Sequence, residues 1–293
     1  MRVAALDLGS NTFLLLIAEL DQQGRVQRVL IDECVVTRLS EGVNKTQRLG
    51  DQALQRAEKC LSQFSKIIKQ HKVEKIQAVA TSAARDAENS SLFFALAEKY
   101  KIPIEIISGQ KEAELTYFGA LGASPEKYTS VIDIGGGSTE IIGDTGSGIK
   151  AKSINIGSVR LTEKFISQHP VPKAELTQLQ DYIKDQLQQN REDLPAKTNI
   201  LVAVAGTPTT LAAMDLQIEF AADQVEAYIL TRERLSYWID KLAAMPISER
   251  LQVKGLSVGR EDVIIAGMSI LLMTMQFLHC EKVIVSTKGV RYG

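Results

Sequence analysis

The sequence is poor in the residues that build disulfide frames, metal clusters and stacking surfaces. Three cysteines, three histidines and one tryptophan occur in 293 residues, and aromatic residues make up 5%. Cys34, Cys60 and Cys280 are far apart, odd in number and form no C-x-x-C pair. That excludes a disulfide scaffold or a cysteine-based zinc site and points to a reducing compartment. His71, His169 and His279 stand in unrelated contexts, and none is assigned a metal or catalytic role. Charge of one sign is also missing. Lys plus Arg (34) nearly cancels Asp plus Glu (35), leaving −1, so no bulk basicity indicates a nucleic-acid or membrane partner. Cations for a polyanionic substrate would have to be concentrated in one cleft. No apolar run is long enough to span a bilayer. The most hydrophobic stretch, Val263 to Leu278, is interrupted by Gly267, Ser269, Thr274 and Gln276 and reads as a buried helix. Met1 to Leu6 meets Asp7 too soon for the apolar region of a signal peptide. The expectation is a soluble, cytoplasmic protein.

What is present is ordinary for a globular chain: 45% hydrophobic and 24% charged residues. At about 150 residues per domain the length predicts two domains. Val3 to Leu8 and Thr12 to Ala18 are apolar runs flanking a turn with Gly and Asn, a hairpin signature. A third strand follows near Val26 to Val35, then a helix from Asp51 to about Gln70, where Leu54, Ala57, Leu61, Phe64 and Ile67–Ile68 recur at helical spacing. A strand at Lys75 to Thr81, a helix at Ser91 to Tyr100, a strand at Ile104 to Ile107 and a helix from about Gln110 complete the first half. The pattern then restarts. Asp133-Ile134-Gly135-Gly136-Gly137-Ser138-Thr139 has the layout of Asp7-Leu8-Gly9-Ser10-Asn11-Thr12, again between apolar strands. The second half continues with strands near Ala151 to Ile156, Ile200 to Ala205 and Lys282 to Ser286. Its helices are expected at Lys173 to Arg191, Arg232 to Ala244 and Glu261 to Leu278. Two related α/β domains with mixed sheets around an interdomain cleft are predicted. The boundary falls within Gly119 to Pro125, giving domains 1–121 and 122–293.

A Gly-rich turn between strands presents backbone N–H groups without side-chain obstruction and forms an anion-binding concavity. Ser10, Thr12, Ser138 and Thr139 add hydroxyls and Asn11 an amide. Asp7 and Asp133 cannot face phosphate alone, because like charges repel. They make sense with a divalent cation between carboxylate and phosphate, as Mg²⁺ binds. Either turn alone is equally explained as a tight hairpin, but two in register favour the anion-binding reading. Strand–turn–strand argues against the P-loop and the Rossmann nicotinamide fingerprint, which both need a helix after the glycines. A third loop, Ala205-Gly206-Thr207-Pro208-Thr209-Thr210, follows an apolar strand and opens a helical run. It fits donors at a helix N-terminus or an ordinary N-cap with an early Pro.

These loops carry a resemblance. The chain resembles the Ppx/GppA family of exopolyphosphatases and guanosine pentaphosphate phosphohydrolases, which have the actin-like (ASKHA, ribonuclease H-like) fold. The resemblance runs through DLGSNT (Asp7–Thr12), ATSAARDAEN (Ala80–Asn89), ISGQKEAEL (Ile107–Leu115), DIGGGSTE (Asp133–Glu140), IGSVRLTEKF (Ile156–Phe165), AGTPTTLAA (Ala205–Ala213) and STKGVRYG (Ser286–Gly293). It covers nearly the whole chain and is to the short, two-domain form. The family places its catalytic glutamate in the S-G-x-x-E-A segment, here Glu112; a carboxylate interacting with the helix dipole is the plainer reading of that residue. Lys111 stands where family members often have a second acidic residue.

The resemblance implies a phosphoanhydride hydrolase dependent on Mg²⁺, or Mn²⁺ in its place. Asp7, Asp133 and Glu140 would hold the metal, and Glu140 would also help position the water. Gly9, Ser10, Asn11, Thr12, Arg85, Gly135, Gly136, Gly137, Ser138, Thr139, Arg160, Gly206 and Thr207 would contact the substrate. Inorganic polyphosphate is the expected substrate, guanosine penta- or tetraphosphate the alternative, and a homodimer the expected assembly. A kinase or ATPase of the same fold lacks an evident nucleobase platform here. A non-catalytic polyphosphate or alarmone sensor would not need Glu112.

Overall fold

Apolar runs on either side of a polar turn fold as the expected hairpin. In the computed structural model, which describes residues 1–122, 126–145 and 148–293, β1 (Arg2–Leu8) and β2 (Thr12–Leu20) pair antiparallel, with Leu8 opposite Phe13 and Asp7 opposite Leu14. β3 (Val26–Val36) continues the meander, and β4 (Lys75–Ala80) and β5 (Ile104–Ile106) return parallel to β1. The resulting order is β3-β2-β1-β4-β5. Helix Asp51–Gln70 lays Leu54, Ala57, Leu61, Phe64 and Ile68 into a core with Phe13, Leu15 and Ile17. Their alternating three- and four-residue spacing places them on one helical face. Full burial of each leucine, isoleucine or phenylalanine among them stabilises the fold by about 1.5–3 kcal/mol.

The chain divides into two compact units, Met1–Glu112 with Tyr292 and Ala113–Arg291 with Gly293. The division falls inside helix Gly109–Leu121; residue 121, where the sequence reading ends the first domain, is that helix's last. Residues 123–125 of the expected boundary stretch lie outside the described residues.

The second unit repeats the first. β6 (Thr129–Ile134), β7 (Thr139–Asp144) and β8 (Ile149–Ile154) form the meander, and β9 (Ile200–Val204) lies parallel to β6. β10 (Ile229–Thr231) adds an antiparallel edge to β11 (Lys282–Val285), giving β10-β11-β9-β6-β7-β8. Apart from that edge strand, both sheets have the same order, so each unit is a ribonuclease H-like domain and the pair has the actin-like fold. The backbone also sets the register of the repeat. Gly9 N–H donates to Thr12 O (3.1 Å) and Gly135 N–H to Ser138 O (3.0 Å), so Thr12 matches Ser138 and Leu14 matches Glu140.

Helix Ile264–Phe277 is buried on all sides and packs against helices Ser158–Phe165, Lys173–Gln189 and Arg232–Ala243. It is the core helix expected from the broken apolar run. Among the described residues no helix is long and apolar enough to cross a membrane. Helices Ser82–Asp86 and Ser158–Phe165 and strand β10 are too short to show a period in the sequence.

Candidate active site

In the first unit the turn Gly9–Thr12 is fixed from behind. Asn11 O accepts the N–H groups of Thr37 and Arg38 (both 2.9 Å), and Ser10 O accepts Ser40 N–H (2.8 Å). Ser10 Oγ bonds Ser82 Oγ (2.7 Å) and accepts Ala83 N–H (3.0 Å), tying the turn to the start of helix Ser82–Asp86. With these carbonyls, the Gly9 N–H and the Ser10 hydroxyl engaged, what the turn has left to offer is its other N–H groups and the Asn11 amide. The Asn11 amide is buried, and neither its nitrogen nor its oxygen has a hydrogen-bond partner; Thr37 Oγ1 and Ser40 Oγ share that condition. Buried polar groups of this kind call for a ligand or ordered water. Ser108 Oγ caps helix Gly109–Leu121 by accepting Lys111 N–H (3.2 Å), and Glu112 follows in its first turn. Glu112 is 8% exposed. Arg85 donates to Ile107 O (2.8 Å) and stands 3.8 Å from Glu112 Oε2. Sequence position alone does not show that Arg85 and Glu112 meet; the structure brings them together.

In the second unit the turn Gly135–Gly137 is gripped by the start of helix Ser158–Phe165. Ser158 N–H donates to Gly135 O (2.9 Å), Val159 and Arg160 N–H donate to Gly136 O (2.9 and 3.0 Å), and Arg160 Nε donates to Gly137 O (2.8 Å). Arg160 is therefore placed on the turn itself. Thr139 Oγ1 donates to Ile156 O, and Ser138 is buried.

Asp133 and Glu140 are cross-strand partners, so both side chains project from the same sheet face, roughly 4.5–5.5 Å apart at Cβ. Their exposures are 9% and 1%. Thr116 Oγ1 donates to Asp133 Oδ2 (3.0 Å), and Ser153 Oγ donates to Glu140 Oε1 (2.6 Å). Burial pushes the Asp133 carboxyl up to about 6, while the Thr116 hydroxyl and the Arg291 charge pull the other way.

The third loop starts helix Gly206–Leu216. A Cβ at position 206 would lie 1.9 Å from the guanidinium carbon of Arg260, so only glycine lets that side chain lie against the loop backbone. Ala205, just before it, has φ 73° and ψ −169°, a region that is essentially glycine-only and strained for any side chain. Thr207 is buried, its hydroxyl packed against Gly267 of the Ile264–Phe277 helix.

Among the described residues no three His, Cys, Asp or Glu side chains gather as a metal cluster. The donors that do converge, Asp133 and Glu140, are hard oxygen ligands. They suit Mg²⁺ or Mn²⁺, which complete their shells with water and phosphate oxygen. Two buried carboxylates on neighbouring strands cannot both ionise cheaply without a cation. Asp7 belongs to the other unit, where its partner across the hairpin is the apolar Leu14.

Thr116, Ser153, Arg260 and Arg291 were not assigned roles from the sequence. Two of them carry a local signal: Thr116 lies one helical turn after Glu112, and Arg291 lies within the STKGVRYG segment.

A doubled ribonuclease H-like fold with a glycine-containing turn at the same place in each sheet defines an actin-like protein. The sequence profile of the Ppx/GppA phosphatase family matches residues 16–293, and the chain belongs to that family. Exopolyphosphatase 2 of Mycobacterium tuberculosis is 34% identical over 281 residues, covering 91% of this chain and 87% of the relative. The bifunctional 3-dehydroquinate synthase/phosphatase of Fusobacterium nucleatum is 33% identical over 301 residues; 97% of this chain matches 44% of that protein, so the chain spans less than half its length. The crystal structure of the Aquifex aeolicus Ppx/GppA family member superposes with a TM-score of 0.80 at 30% identity, covering 99% of this chain and 95% of the other.

Proposed function

We propose that this protein is an exopolyphosphatase that hydrolyses the terminal phosphoanhydride of inorganic polyphosphate and releases orthophosphate, with Glu112 as general base and Mg²⁺ as cofactor. The observation that carries this reading is the buried Asp133–Glu140 pair directly behind the Gly135–Gly137 turn, in a chain of a phosphatase family. The name of the Mycobacterium tuberculosis relative favours polyphosphate over guanosine pentaphosphate as substrate.

In this reading Glu112 accepts a proton from the attacking water. The water oxygen bonds the terminal phosphorus, and the bridging P–O bond breaks with its electron pair leaving on the shortened chain. Arg85, fixed by the Ile107 carbonyl, orients Glu112. The N–H groups of the Gly135–Ser138 turn other than that of Gly135 would hold phosphate oxygens, and in the first unit the Asn11 amide and the remaining N–H groups of Gly9–Thr12 are the equivalent donors. Asp133 and Glu140 would hold Mg²⁺, which when bound neutralises phosphoryl charge. Phosphoryl transfer asks little covalent chemistry of side chains, so positioning and charge neutralisation carry the rate.

The test is phosphate release from polyphosphate, guanosine pentaphosphate and ATP in parallel, with and without a chelator, for the parent and for Glu112→Gln. Rapid release from polyphosphate, lost on chelation and in the variant, is expected. An unchanged rate in Glu112→Gln would overturn the base assignment, and turnover of guanosine pentaphosphate alone would overturn the substrate.

A further inference from the structure

We propose that the pole of the first unit opposite the Gly9–Thr12 turn, carrying Lys66, Lys69, Lys72, Lys75 and Lys101, is a second binding surface for a phosphate polymer. It would hold the distant part of a long inorganic polyphosphate chain while the chain's terminus is hydrolysed. This rests on the polyphosphate reading above and adds to it a preference for long chains.

The sheet brings these lysines together. β1 runs from Arg2 to Leu8, just before the turn, and β4, parallel to it, starts at Lys75 opposite Val3. Lys75 therefore stands at the far end of the strands, about 20 Å from the turn at roughly 3.3 Å per residue. Helix Asp51–Gln70 ends at the same pole: His71 O accepts Arg2 Nη1 (2.7 Å), and Glu74 N–H donates to Arg2 O (2.9 Å). Ser65 Oγ donates to Tyr100 O (3.1 Å), so Lys69, four residues on, continues the helix face turned toward Tyr100 and Lys101. Lys66 is its neighbour one turn back, and Lys72 N–H donates to Lys69 O (3.1 Å). In the parallel β4–β5 ladder Ala78 pairs with Ile104, and the same offset carried back sets Lys75 level with Lys101. All five are exposed.

The charge at this pole is unbalanced. Arg2 pairs with Glu19 and Arg25 with Asp21 (both 2.8 Å), Lys99 pairs with Glu58 (2.7 Å), and Arg28 lies opposite Glu19 in the ladder. Among the described residues none of the five lysines makes a side-chain hydrogen bond or ion pair. The acids left to face them are Glu98 and Glu74, whose carboxylate accepts Arg2 N–H (2.7 Å). Glu105, level with Asp7 through Val79, belongs to the other end. The pole is thus positive in a chain of net charge −1. A helix C-terminus accounts for Lys66 and Lys69, but Lys75 opens a strand and has no such reason. No platform for bases accompanies the charge. Tyr100 has its hydroxyl held by Glu58 (3.3 Å), and the exposed aromatic side chains among the described residues, Phe118, Phe220 and Tyr237, belong to the second unit. Single-stranded nucleic acid is bound by stacking as well as charge. Compact ammonium groups alone suit a chain of repeating charges with no ring to stack.

The experiment compares the full-length parent with Lys69→Gln/Lys72→Gln/Lys75→Gln and with Lys69→Arg/Lys72→Arg/Lys75→Arg in steady-state hydrolysis of long-chain polyphosphate and of tripolyphosphate. Equilibrium binding of fluorescently end-labelled long-chain polyphosphate and of a single-stranded oligonucleotide is measured alongside, across a range of salt. Tripolyphosphate is too short to reach from the turn to the lysines, so its KM should be the same in all three proteins. For the long chain KM should rise about ten-fold in the glutamine variant, where the second contact is lost, and stay near the parent's in the arginine variant. Long-chain binding by the glutamine variant should also depend less steeply on salt, because fewer counterions are released. An unchanged long-chain KM in the glutamine variant, or an equal rise for tripolyphosphate, would overturn the surface. Oligonucleotide binding that is tighter than polyphosphate binding and lost in the glutamine variant would overturn its assignment to polyphosphate. A parent that hydrolyses neither phosphate substrate yet binds the long chain through these lysines would defeat the proposed activity and spare the surface.

Discussion

Asp133 and Glu140 face each other across the β6–β7 hairpin as directly paired residues, both buried. In the first unit the same ladder position joins Asp7 to Leu14. The two halves of the repeat share a backbone but not a charge pattern, and this asymmetry makes the second turn the carboxylate-rich one.

Removing one carboxylate of that pair should separate stability from activity. Asp133→Asn keeps an acceptor for Thr116 and removes a charge that burial disfavours. At neutral pH the metal-stripped variant should melt above the parent, while phosphate release falls on the order of 100-fold. Added Mg²⁺ should raise the melting temperature of the parent, as any ligand of the native state does, and leave that of Asp133→Asn unchanged. An equal Mg²⁺ shift in both proteins would move the metal elsewhere.

Gly119→Ala adds a single methyl group where the Gly289 carbonyl stands 2.2 Å away. Both contacting groups are backbone, so the Gly289–Gly293 segment has to move. A loss of about 1–3 kcal/mol in stability is expected from overpacking. Urea unfolding of the variant beside the parent reads the loss, and an unchanged midpoint contradicts it.

Ala205→Gly should act in the opposite direction. With φ 73° and ψ −169°, alanine is held where glycine rests without strain. After allowing for the greater chain entropy of glycine in the unfolded state, a gain of about 1 kcal/mol is expected. Ala205→Val should lose stability, and chemical denaturation of the pair checks the sign.

Asp215 sets an acid limit on the second unit. Burial alone would raise its carboxyl, but bonds from Arg234, Trp238 and Tyr228 more than offset this and hold it below the usual aspartate value of 3.8. A depressed carboxyl contributes stability that is fully present above its unfolded value and lost as pH falls through the folded one. Asp215→Asn should therefore cost about 2 kcal/mol near neutrality, and the gap from the parent should close below pH 3.8. Thermal melts across the acid range test this; a gap that persists at low pH contradicts it.

Strands, hairpin turns, the long amphipathic helices and the doubling of the chain were all legible from residue order. Each depends on neighbours within a few positions: alternation for β1 and β2, three- and four-residue spacing for Asp51–Gln70, glycine in the turns. Residue order also carried the family motifs, and with them Glu112. Which residues meet was decided by the sheets. Strand order and register put Glu140 opposite Asp133 and pair Thr12 with Ser138 in the repeat, whereas the bare sequence left Thr139 equally eligible. Helix packing laid Arg260 over Gly206 and the Gly289–Gly293 segment against Gly119. No local pattern announces such contacts, because they join chain segments whose separation along the sequence says nothing about their distance once the sheets have formed.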